Sequence, residues 1–159
     1  LPRRKLRALQ EGEVFTIDGV RIEVLSAPQA AAASGCTTGN EVSNVLRVSF
    51  GKASFLFTGD MVAEQEAALT AQKNLRSTVL KVAHHGSKTS SSAGFLQAVQ
   101  PRWAVVSVGA DNSFGHPHTE VLQRLAAVGA RLLRTDVHGA IVFYTNGENL
   151  RVEKFVEKE

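Results

Sequence analysis

Apolar and polar positions alternate in two short runs near the start of the chain, Val14-Phe15-Thr16-Ile17 and Val20-Arg21-Ile22-Glu23-Val24-Leu25. Period-two alternation marks half-buried strands, and Asp18-Gly19 between the runs favours a two-residue hairpin turn. A second strand pair is predicted over Ser43 to Phe50 and Ser54 to Phe57, separated by Gly51-Lys52. It stops at Thr58-Gly59-Asp60, which places Asp60 at a strand's C-terminal tip. Residues 26–39 are rich in Ala, Ser, Thr and Gly with one proline, too small and unpatterned to build a core face. They are expected to form a flexible loop.

The pattern then shifts to alternating helices and strands. Val62 to Leu69 is helix-forming and Val79 to Ala83 reads as a β-branched strand. Ser91-Ser92 offer caps for a helix reaching about Val99. A strand over Trp103 to Val108 and a loop to Pro117 lead into a helix from about Thr119 to Val128. Three short strands follow, at Arg131 to Leu133, Ala140 to Tyr144 and Leu150 to Phe155. Hairpins followed by β-helix-β units predict a mixed sheet with flanking helices. The class is α/β (α+β in some schemes), in a single domain over 1–159. Ligands of such layered folds sit beyond the strand tips.

Composition narrows the functional classes. A chain of 159 residues can bury one core, and no run approaches the roughly 18 consecutive apolar residues that span a bilayer. Leu1-Pro2-Arg3-Arg4 is not followed by the apolar core of a signal peptide. A lone cysteine, Cys36, rules out an internal disulfide and a thiolate zinc site, so any metal must rest on His and Asp. The net charge of +3 suits a polyanionic substrate, although acids and bases are interleaved.

Candidate chemistry concentrates at strand ends. Gly59-Asp60, His84-His85-Gly86-Ser87-Lys88, Gly115-His116-Pro117-His118 and Arg134-Thr135-Asp136-Val137-His138-Gly139 each follow a predicted strand. All five histidines lie within three of these clusters. Each residue keeps a plain reading beside the functional one. Asp60 is either a turn residue or a carboxylate that bridges two divalent ions. His84 and His85 are either a capped turn or a ligand set. Ser87 and Lys88 belong to a Ser-rich loop before a helix, whose amides, hydroxyls and ammonium are donors suited to a phosphate oxyanion. Lys81, facing with Ala83 and away from Val82, either reaches the strand-end site or snorkels to solvent. His116 and His118 flank a proline at a helix entry, where period-two spacing can bring both rings to one site; the plain reading, favoured for His118, is a helix-entry loop. Arg134, Asp136 and His138 either lock a loop or present Arg134 and His138 to substrate.

Read in order, Asn40 to Leu46, Thr58-Gly59-Asp60, Leu80-Lys81-Val82-Ala83-His84-His85-Gly86-Ser87, Gly115-His116-Pro117-His118 and Arg134-Thr135-Asp136 form a specific combination. It resembles successive motifs of the C-terminal metallo-β-lactamase-fold domain of the ComEC family of bacterial DNA-uptake proteins. The resemblance implies the C-terminal part of an αββα sandwich. It also implies metal roles for Asp60 and His85, which double as the catalytic residues. Lys81, His84, Ser87, Lys88, His116, His118 and Arg134 are then the substrate-binding candidates. The implied cofactor is a divalent metal, Mn or Zn, with two ions in a complete domain. The implied activity is hydrolysis of the DNA phosphodiester backbone, single- or double-stranded, beside the membrane channel of a bacterial inner-membrane protein. Other phosphodiesterases of the fold and a metal-free DNA-binding or structural module are the alternatives.

The family's His-x-His-x-Asp-His motif occurs nowhere in this sequence. The expectation is therefore a half-site, catalytically weak or inactive in isolation, with its metal either retained or lost. The sheet surface that this leaves exposed favours self-association.

Overall fold

The structure, a computed structural model, describes residues 8–27 and 43–156. The expected loop over 26–39 falls mostly outside that range; of it, Ser26 ends a strand and Ala27 is buried. Asp18 and Gly19 both adopt the left-handed conformation that a tight hairpin turn requires, and they join β1 (Val14–Ile17) to β2 (Val20–Ser26). β3 (Val45–Phe50) and β4 (Ala53–Phe57) form the second hairpin. Next come α1 (Ala63–Gln72), β5 (Val79–Lys81), α2 (Ala93–Val99), β6 (Trp103–Val106), α3 (Thr119–Ala127) and β7 (Arg131–Arg134). A short helical turn, α4 (Thr135–His138), precedes β8 (Ile141–Thr145) and β9 (Leu150–Lys154).

β1 to β7 make a seven-stranded sheet in sequence order, antiparallel from β1 to β4 and parallel from β4 to β7. This is the mixed α/β sheet with flanking helices that the sequence predicts. Leu56, Leu80 and Ala104 lie side by side on one face and join a buried cluster with Leu69 of α1, Phe95, Leu96 and Val99 of α2, and Val121 and Leu125 of α3. α2 begins at Ser92, whose hydroxyl accepts from the Phe95 amide as an N-cap. Among the described residues no helix is long and apolar enough to cross a membrane.

Two strands end earlier than their apolar runs suggest. β6 stops at Val106 because the Thr135 hydroxyl engages both the N–H and the carbonyl of Val108 at 2.7 Å, replacing ladder partners. β5 stops at Lys81. Val82 still donates to Val105, but Ala83 opens a tight turn.

The opposite sheet face is partly covered by a separate sheet, β8–β9. Phe143 of β8 packs edge-on against Phe55 (5.9 Å) and Trp103 (6.1 Å). Beneath this hairpin lies a cavity of about 380 Å³ walled by Phe55, Phe57, Val105, Ile141 and Phe143, with Lys81 among its lining. The tip of β3–β4 meets the tip of β8–β9 at bare backbone, where Lys52 N–H donates to the Gly147 carbonyl at 2.6 Å. A Cβ on Gly51 would lie 2.3 Å from that carbonyl oxygen, and Gly51 has a positive φ. Gly51→Ala is therefore expected to cost about 1–2 kcal/mol, the two solvent-facing tips separating to limit the clash. Urea denaturation beside the wild type checks this, and an unchanged midpoint would contradict it.

Candidate metal and phosphate site

Three strand ends converge. At the end of β4, Gly59 turns with positive φ, and the Asp60 amide donates to the Ser43 hydroxyl at 2.9 Å. At the end of β5 the backbone folds into a single turn over Ala83–Gly86, in which His84 (φ 48°) and His85 (φ 54°) are both left-handed. Such a pair of non-glycine residues is costly and persists only where neighbours over-determine it. Here His84 N–H donates to Gly59 O at 3.1 Å, Ser87 N–H to His84 O at 2.8 Å, and the Thr58 hydroxyl to Lys81 O at 2.7 Å.

His85 is oriented from both sides. Its Nδ1 lies 2.6 Å from the Ser107 carbonyl at the end of β6, and its Nε2 lies 3.8 Å from Asp60 Oδ1. A backbone acceptor at Nδ1 fixes the tautomer and leaves Nε2 as the free donor atom, the arrangement typical of a ligating imidazole. Asp60 and His85 are both about half exposed, so an ion could approach them. The pair thus fits two positions of a divalent ion's shell. Among the described residues no group of three or more His, Cys, Asp or Glu side chains is placed to hold an ion.

Three further histidines, His84, His116 and His118, gather beside this pair. His84 and His116 rings are 5.9 Å apart, and His116 and His118 are 5.2 Å apart. The two motifs are tied by backbone, His118 N–H donating to Gly86 O at 3.0 Å. Asn112 grips the His116 main chain through its amide and carbonyl groups, and the His116–Pro117 peptide is cis. Burial, aided by the charges of His118, His84 and His85, holds His116 below the usual imidazole range, which favours its neutral form. Lys81 lines the cavity beneath β8–β9, its Nζ 3.5 Å from the Val82 carbonyl; burial lowers its amine, and the Asp60 carboxylate partly offsets this.

The other candidates are placed differently. Lys88 is exposed, whereas Ser87 is buried with its hydroxyl 3.0 Å from that of Thr89. The Arg134 guanidinium is gripped through two nitrogens by Asp136, and His138 Nδ1 lies 3.0 Å from the Arg134 backbone. The Arg134–Asp136 hydrogen bond raises the Arg134 guanidinium and holds the Asp136 carboxyl below its ordinary 3.8. A depressed carboxyl stabilises the fold above its unfolded value and loses that contribution as pH falls through the folded one. Asp136→Asn is thus expected to cost about 1–2 kcal/mol at neutral pH, after allowance for partial exposure. The gap to wild type should close below pH 3.8 in urea melts at a series of pH values. A gap constant with pH would contradict the ion pair. Sequence reasoning singled out neither Ser43, inside the Asn40 to Leu46 motif, nor Ser107; a lone polar residue within the predicted strand Trp103 to Val108 is the available signal for the latter.

A solved structure described as a metal-dependent hydrolase from Parabacteroides distasonis aligns with a TM-score of 0.53. The alignment covers 83% of this chain and 58% of that one at 16% identity, and shows a shared fold. The protein is of this layered α/β class. No family model matches the chain. ComE operon protein 3 of Bacillus subtilis is 37% identical over 87% of the chain, and competence protein ComA of Neisseria gonorrhoeae is 46% identical over 73%. Recombination protein 2 of Haemophilus influenzae is 39% identical over 64%. The chain belongs to the ComEC family of competence proteins. The matched stretches are 17%, 18% and 13% of those relatives' lengths, so the chain corresponds to one segment of them.

Proposed function

We propose that this chain is part of a metal-dependent DNA phosphodiesterase serving DNA uptake, within a metallo-β-lactamase-fold domain of a membrane-bound parent protein. One observation carries the reading: the Asp60 carboxylate faces the Nε2 of His85 while a backbone carbonyl fixes the other ring nitrogen. Competence relatives favour DNA as the phosphodiester.

Asp60 and His85 are the residues that would hold a divalent ion, Mn or Zn, the rest of its shell coming from beyond this pair. Such an ion, when bound, stabilises negative charge on a phosphate and makes water a stronger nucleophile near neutral pH. Lys81 and Lys88 supply positive charge for phosphate oxygens. His116, held neutral, donates to or accepts from an oxygen of the scissile group without adding charge, and His84 and His118 pack its ring in place. Ser87 acts through the loop it anchors, and Arg134 through its pairing with Asp136.

The decisive test compares this chain with a longer one extended N-terminally. Each is assayed on labelled single- and double-stranded DNA and on a small phosphodiester, with Mn²⁺, Zn²⁺ or chelator. Metal-dependent cleavage of DNA by the longer chain supports the reading. Cleavage of the small phosphodiester alone moves the substrate class. DNA binding without cleavage, unaffected by chelator and weakened by salt, replaces the enzyme with a binding module.

A further inference from the structure

Glu66 lies in the first turn of α1, on the buried side with Leu69, and is fully buried. A carboxylate there is strongly unfavourable unless its oxygens are satisfied. Both are: Oε1 accepts from the Ser91 amide, and Oε2 from the Ser92 amide at 2.7 Å. These amides close the loop that begins at the left-handed His84-His85 turn, and Ser91 is itself left-handed (φ 55°). A third bond from the same helix, Ala63 N–H to Thr89 O at 3.0 Å, holds the loop two residues earlier. Inside the loop, Ser90 Oγ donates toward Ala83 O (3.1 Å) and Ser87 O (3.0 Å), passing the constraint back to the histidines.

We propose that Glu66 is a positioning residue. From α1 its carboxylate clamps the far end of the 83–92 loop and so holds His84, His85 and, through Gly86, His118 in their strained arrangement. One consequence bears on the phosphate reading, on which this inference rests for its functional meaning. The Ser91 and Ser92 amides are already bonded to the protein's own carboxylate. Substrate oxyanions must then be met by side chains such as Lys88 and Lys81 and not by those amides.

Two substitutions and one local readout test the clamp without requiring activity. Glu66→Gln keeps the volume and one accepting oxygen but turns its NH₂ toward an amide N–H. Glu66→Ala removes both acceptors. Amide hydrogen exchange is followed at Ser87, Ser90 and His118, whose N–H groups bond within or onto the loop, and at Val24, which bonds Glu13 across the first strand pair. In both variants the loop amides are expected to exchange about tenfold faster or more while Val24 keeps its protection. Equal acceleration at every amide would reduce Glu66 to a general stabiliser, and unchanged loop amides would remove its role altogether. A chain that never cleaves DNA leaves this result intact, so failure of the clamp and failure of the phosphodiesterase reading are separable.

Discussion

Gly86→Ala is expected to lower stability by about 3–5 kcal/mol, a large part of what a domain this size possesses. Gly86 is buried at the centre of the site with φ +84°, where an L side chain is strained by about 1–2 kcal/mol. The added Cβ would sit 2.6 Å from Pro117 Cβ and 3.1 Å from its Cα. Pro117 cannot rotate away, and His118 is bonded to the Gly86 carbonyl, so the loop must move as a unit. The predicted signature is a lower denaturation midpoint together with displaced ring signals of His116 and His118 by NMR. Retention of both midpoint and ring signals would show that the contact is softer than its geometry implies.

The second large effect concerns chemistry. Asp60→Ala should lower metal-dependent DNA cleavage by the longer chain about 100-fold or more, since even groups that only support a ligand are worth up to roughly that factor. The fold should tolerate the change. Asp60 is half exposed, and the hydrogen bond its backbone N–H donates to the Ser43 hydroxyl does not involve its side chain. Equal loss of stability and activity would point to a structural role for the turn, and unchanged activity would remove Asp60 from the metal site.

Much of the architecture is legible in the sequence because local chemistry decides it. Asp18-Gly19 demanded a tight turn, Ser92 offered a cap, and the valine-rich runs could be buried only as strands. Asp60, His85 and the paired histidines of residues 116 and 118 stood out because polar clusters recurred after apolar runs. What could not be read depended on contacts distant in sequence. Nothing local announces that Thr135 will end β6 by bonding Val108 or that Ser107 will orient His85. The separation of β8–β9 from the main sheet depends on Phe143 finding Phe55 and Trp103. Glu66 shows the limit most directly. As a glutamate on a helix it reads as solvated, and only the return of Ser91 and Ser92 makes its burial tolerable.

The sheet's strand order has a consequence for how the protein is made. Because β1 to β7 lie side by side in the order of the chain, each strand leaving the ribosome finds its neighbour already synthesised. The two antiparallel hairpins need only short closures and can form first, whereas each parallel strand waits for the helix that carries the chain back. The last of the main sheet's strand ends, with Thr135, arrives only after the histidine loops have been synthesised. Synthesis therefore delivers the scaffold of the site before the segment that locks its rim.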